Sequence, residues 1–316
     1  MKPFNVFPYD SKINFMRVRM ISLAIAALLM FAAIGAMAVN GFNFALDFTG
    51  GVGVELRFAK PVEVEAVRSK LAAAGFDNAQ VQSFGTGTDL LVRLQKEEGR
   101  RNEGTGSIAQ DVQAAASSAD NPAEVRSSAE ISAQVGKELR DKGILALVFV
   151  IVGFMIYISF RFEWKFAVAA IITTLHDVVI VVGWFALSGH EFDLTVLAGA
   201  LSVMGFSVND TIVVFDRVRE NFRSMRASPE EVLNASVNQT LSRTVITSFV
   251  ALLTVLALYF YGGASLRGMA ESQIIGIVIG TLSSIFVACP LLMWLGVSKQ
   301  DLMPKARDEA ALARRP

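Results

Sequence analysis

The stretch LTVLAGALSVMGFSVNDTIVVFDRVREN, residues Leu194 to Asn221, decides how the chain is read. From Leu194 to Phe215 its residues are apolar or small enough to cross a hydrocarbon core about 30 Å thick, and beyond Asp216 it becomes a charged exit. Asn209 and Asp210 interrupt the apolar run. Counted inward from Arg217 at about 1.5 Å per residue, Asp210 lies about 10 Å inside the boundary, too deep for so short a side chain to reach water. An Asp at that depth costs about 2.5 to 3.5 kcal/mol, and such acids face a partner, a cavity or an ion path. Gly199, Ser202, Gly205, Asn209 and Asp216 recur at steps of three or four and make one small, polar stripe against which other helices can pack closely. Two readings of Asp210 follow: an acid tied up in a structural ion pair beside a packing stripe, or a group that couples proton or ion movement to work.

Working outward, the whole chain has the composition of a polytopic α-helical membrane protein. Of its 316 residues, 53% are hydrophobic and gathered in long blocks, and the formal net charge is +0. The single cysteine, Cys289, has no intrachain partner, so redox chemistry is not expected. His176 and His190 are too few and too far apart for a metal-ligand pair. No metal, other cofactor or nucleic-acid partner is expected.

Residues 1–20 carry Lys2, Lys12, Arg17 and Arg19 ahead of an apolar run and read as a cytoplasmic N-terminus leading into helix one, 21–40. Ala36-Met37-Ala38 resembles a processing site, but the apolar run is longer than a signal peptide needs. Residues 41–142 form the one sizeable polar block and are expected to fold outside the membrane. Within it, strand patterns at Val52–Phe58, Asn78–Phe84, Leu90–Leu94 and Glu124–Ile131 alternate with helical patterns at Pro61–Ala74 and Ile108–Ser118. That βαββαβ order predicts a ferredoxin-like α+β domain between helices one and two. Lys96–Ser107 reads as a polar loop.

Membrane helices two to six are expected at about 143–160, 166–187, 194–215, 244–261 and 272–295, followed by a basic cytoplasmic tail at 297–316. Arg217, Arg219, Arg223, Arg226 and Arg243 crowd the segment before helix five, whereas the short loops on the other side hold only Arg267. The asymmetry predicts six spans with both termini cytoplasmic and the soluble domain in the periplasm. Ser228-Pro229-Glu230-Glu231 is a helix start, with a capping Ser, Pro at the first position and acids in the first turn, and predicts a short surface helix before helix five. Gly276, Gly280 and Ser284 repeat every four residues on helix six and predict a close helix contact.

Helices four and five are antiparallel neighbours, so Arg243 and Asp210 approach the same half of the membrane and can pair; the alternative for Arg243 is an anchor at a helix entrance. Asp177 on helix three is the deeper acid. Its neighbour His176 points about 100° away around the helix, so the two need not touch. Asp177 reads either as a hydrogen-bond partner of helix four or as a proton carrier, and His176 as a possible relay. Asp47, Gly50 and Gly51 mark a turn from helix one into the first strand.

Several long stretches resemble the SecF family of the bacterial Sec export system: FNFALDFTGG (42–51), FRFEWKFA (160–167), HDVV (176–179), Phe192–Asn221, NQTLSRTVITS (238–248) and SSIFVACPLLMWLG (283–296). The resemblance touches all six expected helices. It implies a non-enzymatic subunit of the inner membrane that works with SecD and the SecYEG channel, with YajC as a further partner, and uses the proton-motive force to promote late steps of protein translocation. Unfolded exported polypeptide and membrane lipid are the other implied contacts. It also implies membership of the resistance-nodulation-division superfamily, whose intramembrane acids carry protons. The proton-coupling candidates are then Asp210, Arg243, Asn209, Asp177 and His176, with Asp210 and Arg243 as the implied pair. Two other classes fit less well. An exporter of small molecules or lipids from the same superfamily calls for larger paired soluble domains. An intramembrane aspartyl protease calls for Gly-x-Gly-Asp, whereas Asp210 follows Ser-Val-Asn.

Overall fold

The computed structural model describes residues 11–77, 79–84, 87–94, 105–131 and 133–302. Six helical segments within it are long and apolar enough to cross a membrane. They are α1 (Arg19–Asn40), α5 (Ala133–Arg161), α6 (Trp164–Ser188), α7 (Leu194–Ser224), α8 (Pro229–Tyr261) and a composite of α9 (Ala264–Ser283) and α10 (Cys289–Trp294). Helices α6, α7 and α9 form the buried centre, while α1, α5 and α8 lie outside them and expose Leu28, Phe149, Phe249 and similar side chains in the manner of lipid-facing helices.

Glycines set the closest approaches. A Cβ on Gly199 of α7 would meet Ser272 of α9, and Cβ atoms on Gly268, Gly276 and Gly280 of α9 would fall against Val196, Val203 and Ser207 of α7. The contacting positions rise together along both helices, so α7 and α9 run parallel with their backbones nearly touching. Gly183 of α6 receives Ala33 of α1 in the same way. The stripe expected on α7 is therefore split. Gly199 packs on α9, but Ser202, Gly205 and Asn209 are exposed, and nothing lies within 4 Å of a Cβ at Gly205.

Several helices are longer than expected because charged ends stay helical outside the apolar core. Helix α5 starts ten residues before 143, inside the block assigned to the soluble domain, supported by a Lys142–Glu138 pair at 2.6 Å. Helix α7 runs on to Ser224, with Arg217 bonded to Glu220 at 2.9 Å. The surface helix and helix five are one element, α8. Its capping box forms, with Ser228 Oγ accepting from Glu231 N at 3.3 Å, and no Gly or Pro interrupts the sequence after Pro229. Helix six begins eight residues before 272 and breaks at a π-helical turn, Ser284–Ala288, just ahead of Pro290, whose missing N–H cannot continue a regular ladder. Glu271, unexpected in an apolar helix, accepts from Trp184 Nε1 at 2.8 Å and lies 2.7 Å from His190 Nδ1.

At the chain ends, residues 11–20 are not a free leader. A 3-10 turn, Phe15–Val18, buries Phe15 and Met16, and the backbone N–H of Ile13 donates to Asn238 Oδ1 at 3.1 Å. Asp301, after α10, takes Lys165 Nζ at 2.8 Å. Most of the tail, 303–316, and most of the loop expected at 96–107 lie outside the described residues.

Between α1 and α5 the elements follow in the order β2 (Gly51–Phe58), α3 (Val64–Ala73), β3 (Gln80–Phe84), β4 (Asp89–Leu94), α4 (Thr105–Ala116) and β5 (Ala123–Ile131). The strands pair antiparallel in the spatial order β3-β4-β2-β5. Alternation places Val52, Val54, Leu56, Leu90 and Val92 against Val67, Leu71, Ile108 and Val112 of the two helices. Arg57 on β2 forks onto its cross-strand partner Asp89, with Nε to Oδ1 at 2.7 Å and Nη2 to Oδ2 at 3.2 Å. That guanidinium holds the Asp89 carboxyl below its ordinary range. A lowered carboxyl contributes stability above its unfolded-state value, and the contribution is lost as pH falls through the lowered one. Asp89→Asn is therefore expected to weaken the sheet at neutral pH and to remove much of its loss of stability in acid, as followed by thermal melting of the infrared β-sheet band.

A second, two-stranded sheet was not foreseen. After α1, β1 (Asn43–Phe44) pairs in parallel with β6 (Glu191–Phe192), which lies in the short loop between α6 and α7. Between β1 and β2 sits one helical turn, α2 (Leu46–Thr49). Phe42, Phe44, Phe48 and Phe185 surround Phe192, with ring centroids 5.1 to 6.1 Å from it. The four-stranded sheet rests on this platform with the face opposite its helices.

Candidate functional site

The polar core of the membrane domain is one turn of α7. Ser207 and Asp210, three residues apart, lie on neighbouring flanks of that turn, and both are buried. Ser207 Oγ donates to Asp177 Oδ2 on α6 at 2.5 Å, and Ser283 Oγ of α9 donates to the same oxygen at 2.7 Å. The other Asp177 oxygen lies 2.9 Å from His176 Nδ1. His176 Nε2 is buried and has no hydrogen-bond partner among the described residues. The adjacent residues therefore do touch, although helix geometry alone does not require it. Two hydroxyls occupy the far oxygen of Asp177, and the near one faces His176. Gly280 packs beside the arrangement, where a Cβ would make an ordinary contact 3.7 Å from Asp177 Oδ2.

Asp210 is served differently. Its Oδ1 accepts from Thr244 Oγ1 of α8 at 2.9 Å, while Oδ2 is buried with no hydrogen-bond partner among the described residues. Ser284, at the start of the π-helical turn, borders the same carboxyl, and Arg243 acts on it through its charge. Arg243, which the topology allows to pair with Asp210, makes no ion pair with it in this structure: it is exposed on the outer side of α8, one residue from the Thr244 that faces inward. A turn of 100° per residue separates the two directions. Asn209 is exposed beside Asp210, and its side chain has no hydrogen-bond partner among the described residues.

Both oxygens of Asp177 are thus engaged, by three donors in all, whereas Asp210 has one bonded oxygen and one spare oxygen at the middle of a long helix. A carboxylate engaged at both oxygens crosslinks helices. One with an unengaged oxygen can take a proton or meet a group from elsewhere without first breaking its existing contact. The roles of Thr244 and Ser283 escaped the sequence reading, because a lone hydroxyl in an apolar run has no signature until helix packing gives it a partner.

Asp47, Gly50 and Gly51, read as a turn from helix one into the first strand, lie at the step from α2 into β2, because β1 and α2 come between α1 and that strand. Asp47 Oδ2 accepts from the backbone N–H of Leu194, the first residue of α7, at 3.3 Å. Gly51 has φ +139°, and a Cβ there would lie 2.2 Å from the carbonyl oxygen of Leu94. A Cβ on Gly136 of α5 would reach 2.9 Å from Gly50 N, so the turn is also where α5 leaves the domain.

These features define a multi-pass membrane protein with carboxylates buried at the centre of its helices and a sheet domain on one end. The family profile described as "Protein export membrane protein SecD/SecF, C-terminal" matches residues 111–298, and the "SecD/SecF GG Motif" matches residues 35–62, around Gly50 and Gly51. The chain belongs to the SecD/SecF family of protein export membrane proteins. It is 43% identical to the protein translocase subunit SecF of Pseudomonas aeruginosa over 298 residues, covering 94% of this chain and 96% of that one. With the SecF of Escherichia coli O157:H7 it shares 40% identity over 302 residues, covering 94% and 93%. The crystal structure of SecDF from Thermus thermophilus superimposes with a TM-score of 0.79 at 38% identity, over 92% of this chain and 39% of that chain. The chain thus spans about two fifths of the SecDF chain.

Proposed function

We propose that the chain is a SecF-like accessory subunit that pairs with SecD and, beside SecYEG, uses the proton-motive force to promote late steps of protein translocation. The observation that carries this reading is Asp210, a mid-helix carboxylate whose second oxygen is buried and unpartnered. In this reading Asp210 takes up and gives back the proton, and Arg243 and Asn209 stand by as a counter-charge and a polar neighbour. His176 and Asp177 brace α6, α7 and α9 around it. The exposed Ser202, Gly205 and Asn209 provide a small, polar face suited to close packing by SecD helices. That the relatives include SecDF proteins of more than twice this length supports SecD as the occupant.

The same reading makes the sheet domain ferredoxin-like and periplasmic, where it meets unfolded polypeptide, and puts both termini in the cytoplasm at the inner membrane. The strand order and the crowding of Arg217, Arg219, Arg223 and Arg226 at the far end of α7 support it. Membrane vesicles containing SecYEG and SecD test it. Adding this chain is expected to accelerate completion of reporter export, and an uncoupler is expected to remove the gain. A gain that survives collapse of the gradient contradicts the reading.

A further inference from the structure

The soluble domain and the Asp210 helix are joined through the loop that begins α7, and the join is built around a charge cluster. Arg93 lies on β4, on the sheet face turned away from α3 and α4, and forms an ion pair with Glu191 of β6. Its guanidinium is mostly buried. Burial pulls it below the usual arginine range, and the charges of Asp193 and Asp47 oppose that pull. Neighbouring side chains on the same sheet face extend the join: Gln82 Nε2 donates to Glu191 Oε2 at 2.7 Å, and Gln80 Nε2 donates to Asn43 Oδ1 at 3.0 Å.

The carboxylates around Arg93 also cap α7. Asp193 Oδ1 accepts from Val196 N at 2.7 Å and from Thr195 Oγ1 at 2.7 Å, while Asp47 holds Leu194 N. Ala45 N donates to Phe192 O at 3.0 Å and continues the pairing of β1 with β6. Without Arg93, Glu191 keeps the bond from the neutral Gln82, and the charges of Glu191, Asp193 and Asp47 lose the guanidinium that attracts them where the first turn of α7 must form. From there a single helix leads to Ser207 and Asp210.

We propose that Arg93 is a positioning residue for the Asp210 helix: by pairing with Glu191 and offsetting part of the repulsion among Glu191, Asp193 and Asp47 it fastens the first turn of α7 to the sheet domain, so that the two move as one body. The proposal rests on the functional reading above for its consequence in export, and on geometry alone for the fastening itself.

The test uses the full chain with SecD in membranes and compares Arg93→Gln, Glu191→Gln, Arg93→Lys and Asp210→Asn. Hydrogen exchange reads the fastening. The amides of Leu194 to Leu197 are expected to exchange about tenfold faster or more in both Gln variants, with β2 and α3 unchanged, and to stay within about twofold of the native rate in Arg93→Lys. Gradient-dependent export should follow the same order. Unchanged exchange at these amides in Arg93→Gln overturns the proposal, as does equal loss in Lys and Gln variants. If exchange rises as expected but Asp210→Asn keeps full gradient dependence, the fastening stands and the functional reading is what fails.

Discussion

Asp210→Asn is expected to abolish the gradient-dependent part of export, by at least about tenfold, while leaving the chain folded and bound to SecD. The substitution keeps size and shape, and the retained side-chain oxygen can still accept from Thr244 Oγ1, so the α7–α8 contact survives. What is lost is the proton site. The amide places an N–H₂ group or a carbonyl where Oδ2 is now unpartnered, and neither titrates. A proton moved through 100 mV supplies about 2.3 kcal/mol, a shift of roughly fiftyfold in a two-state equilibrium, and Asp210→Asn removes that lever. Asp177→Asn is expected to act otherwise. It turns one of two acceptor oxygens into a donor facing either Ser207 and Ser283 or His176, so it should loosen the helix core and reduce the yield of folded chain. Export measured against gradient size separates the two: Asp210→Asn flattens the dependence, whereas Asp177→Asn lowers the amount of active complex.

Gly51→Ala should be the most damaging small change in the soluble domain. The backbone there has φ +139°, which side chains rarely adopt, and the added methyl would sit 2.2 Å from a backbone oxygen that belongs to the β2–β4 ladder. Strain and overpacking together cost about 3 kcal/mol or more, a large part of the stability of a small domain. Gly53→Ala, two residues along the same strand, is the control. Its Cβ would be 3.6 Å from the Leu46 side chain, an ordinary contact, and φ is not in the left-handed region. The control is expected to be neutral or up to about 1 kcal/mol stabilising, because alanine loses less backbone freedom on folding. Denaturant-dependent protease resistance of β2–β5 in the full chain distinguishes the two.

The six spans were legible because a run of twenty apolar residues has few other uses, and the βαββαβ order because strand and helix leave different periods in the sequence. Helix ends were not. At Glu138–Lys142 and Arg217–Glu220 the residues are polar enough to read as loop, yet pairs at i, i+3 and i, i+4 keep them helical beyond the apolar core. Asp210 and Asp177 stood out because acids are rare in such runs. Their different bonding did not, since it depends on hydroxyls at Ser207, Ser283 and Thr244 contributed by three helices. Gly199, Ser202, Gly205 and Asn209 share a stripe by periodicity, but periodicity gives a face and only topology says what covers it: Gly199 packs on α9, and the other three are exposed within this chain. Arg93 and Glu191 sit in separate domains of the sequence and have no local pattern that links them.

Central to this account is that Asp210 changes protonation with the gradient. A hydrophobic carbodiimide reacts with protonated carboxyls in apolar surroundings, so labelling of the Asp210 peptide, quantified by mass spectrometry in vesicles that also contain SecD, reads that change directly. Labelling is expected to differ by about fivefold or more between energised and uncoupled vesicles and to disappear in Asp210→Asn. Labelling at Asp210 that is the same with and without the gradient would contradict it.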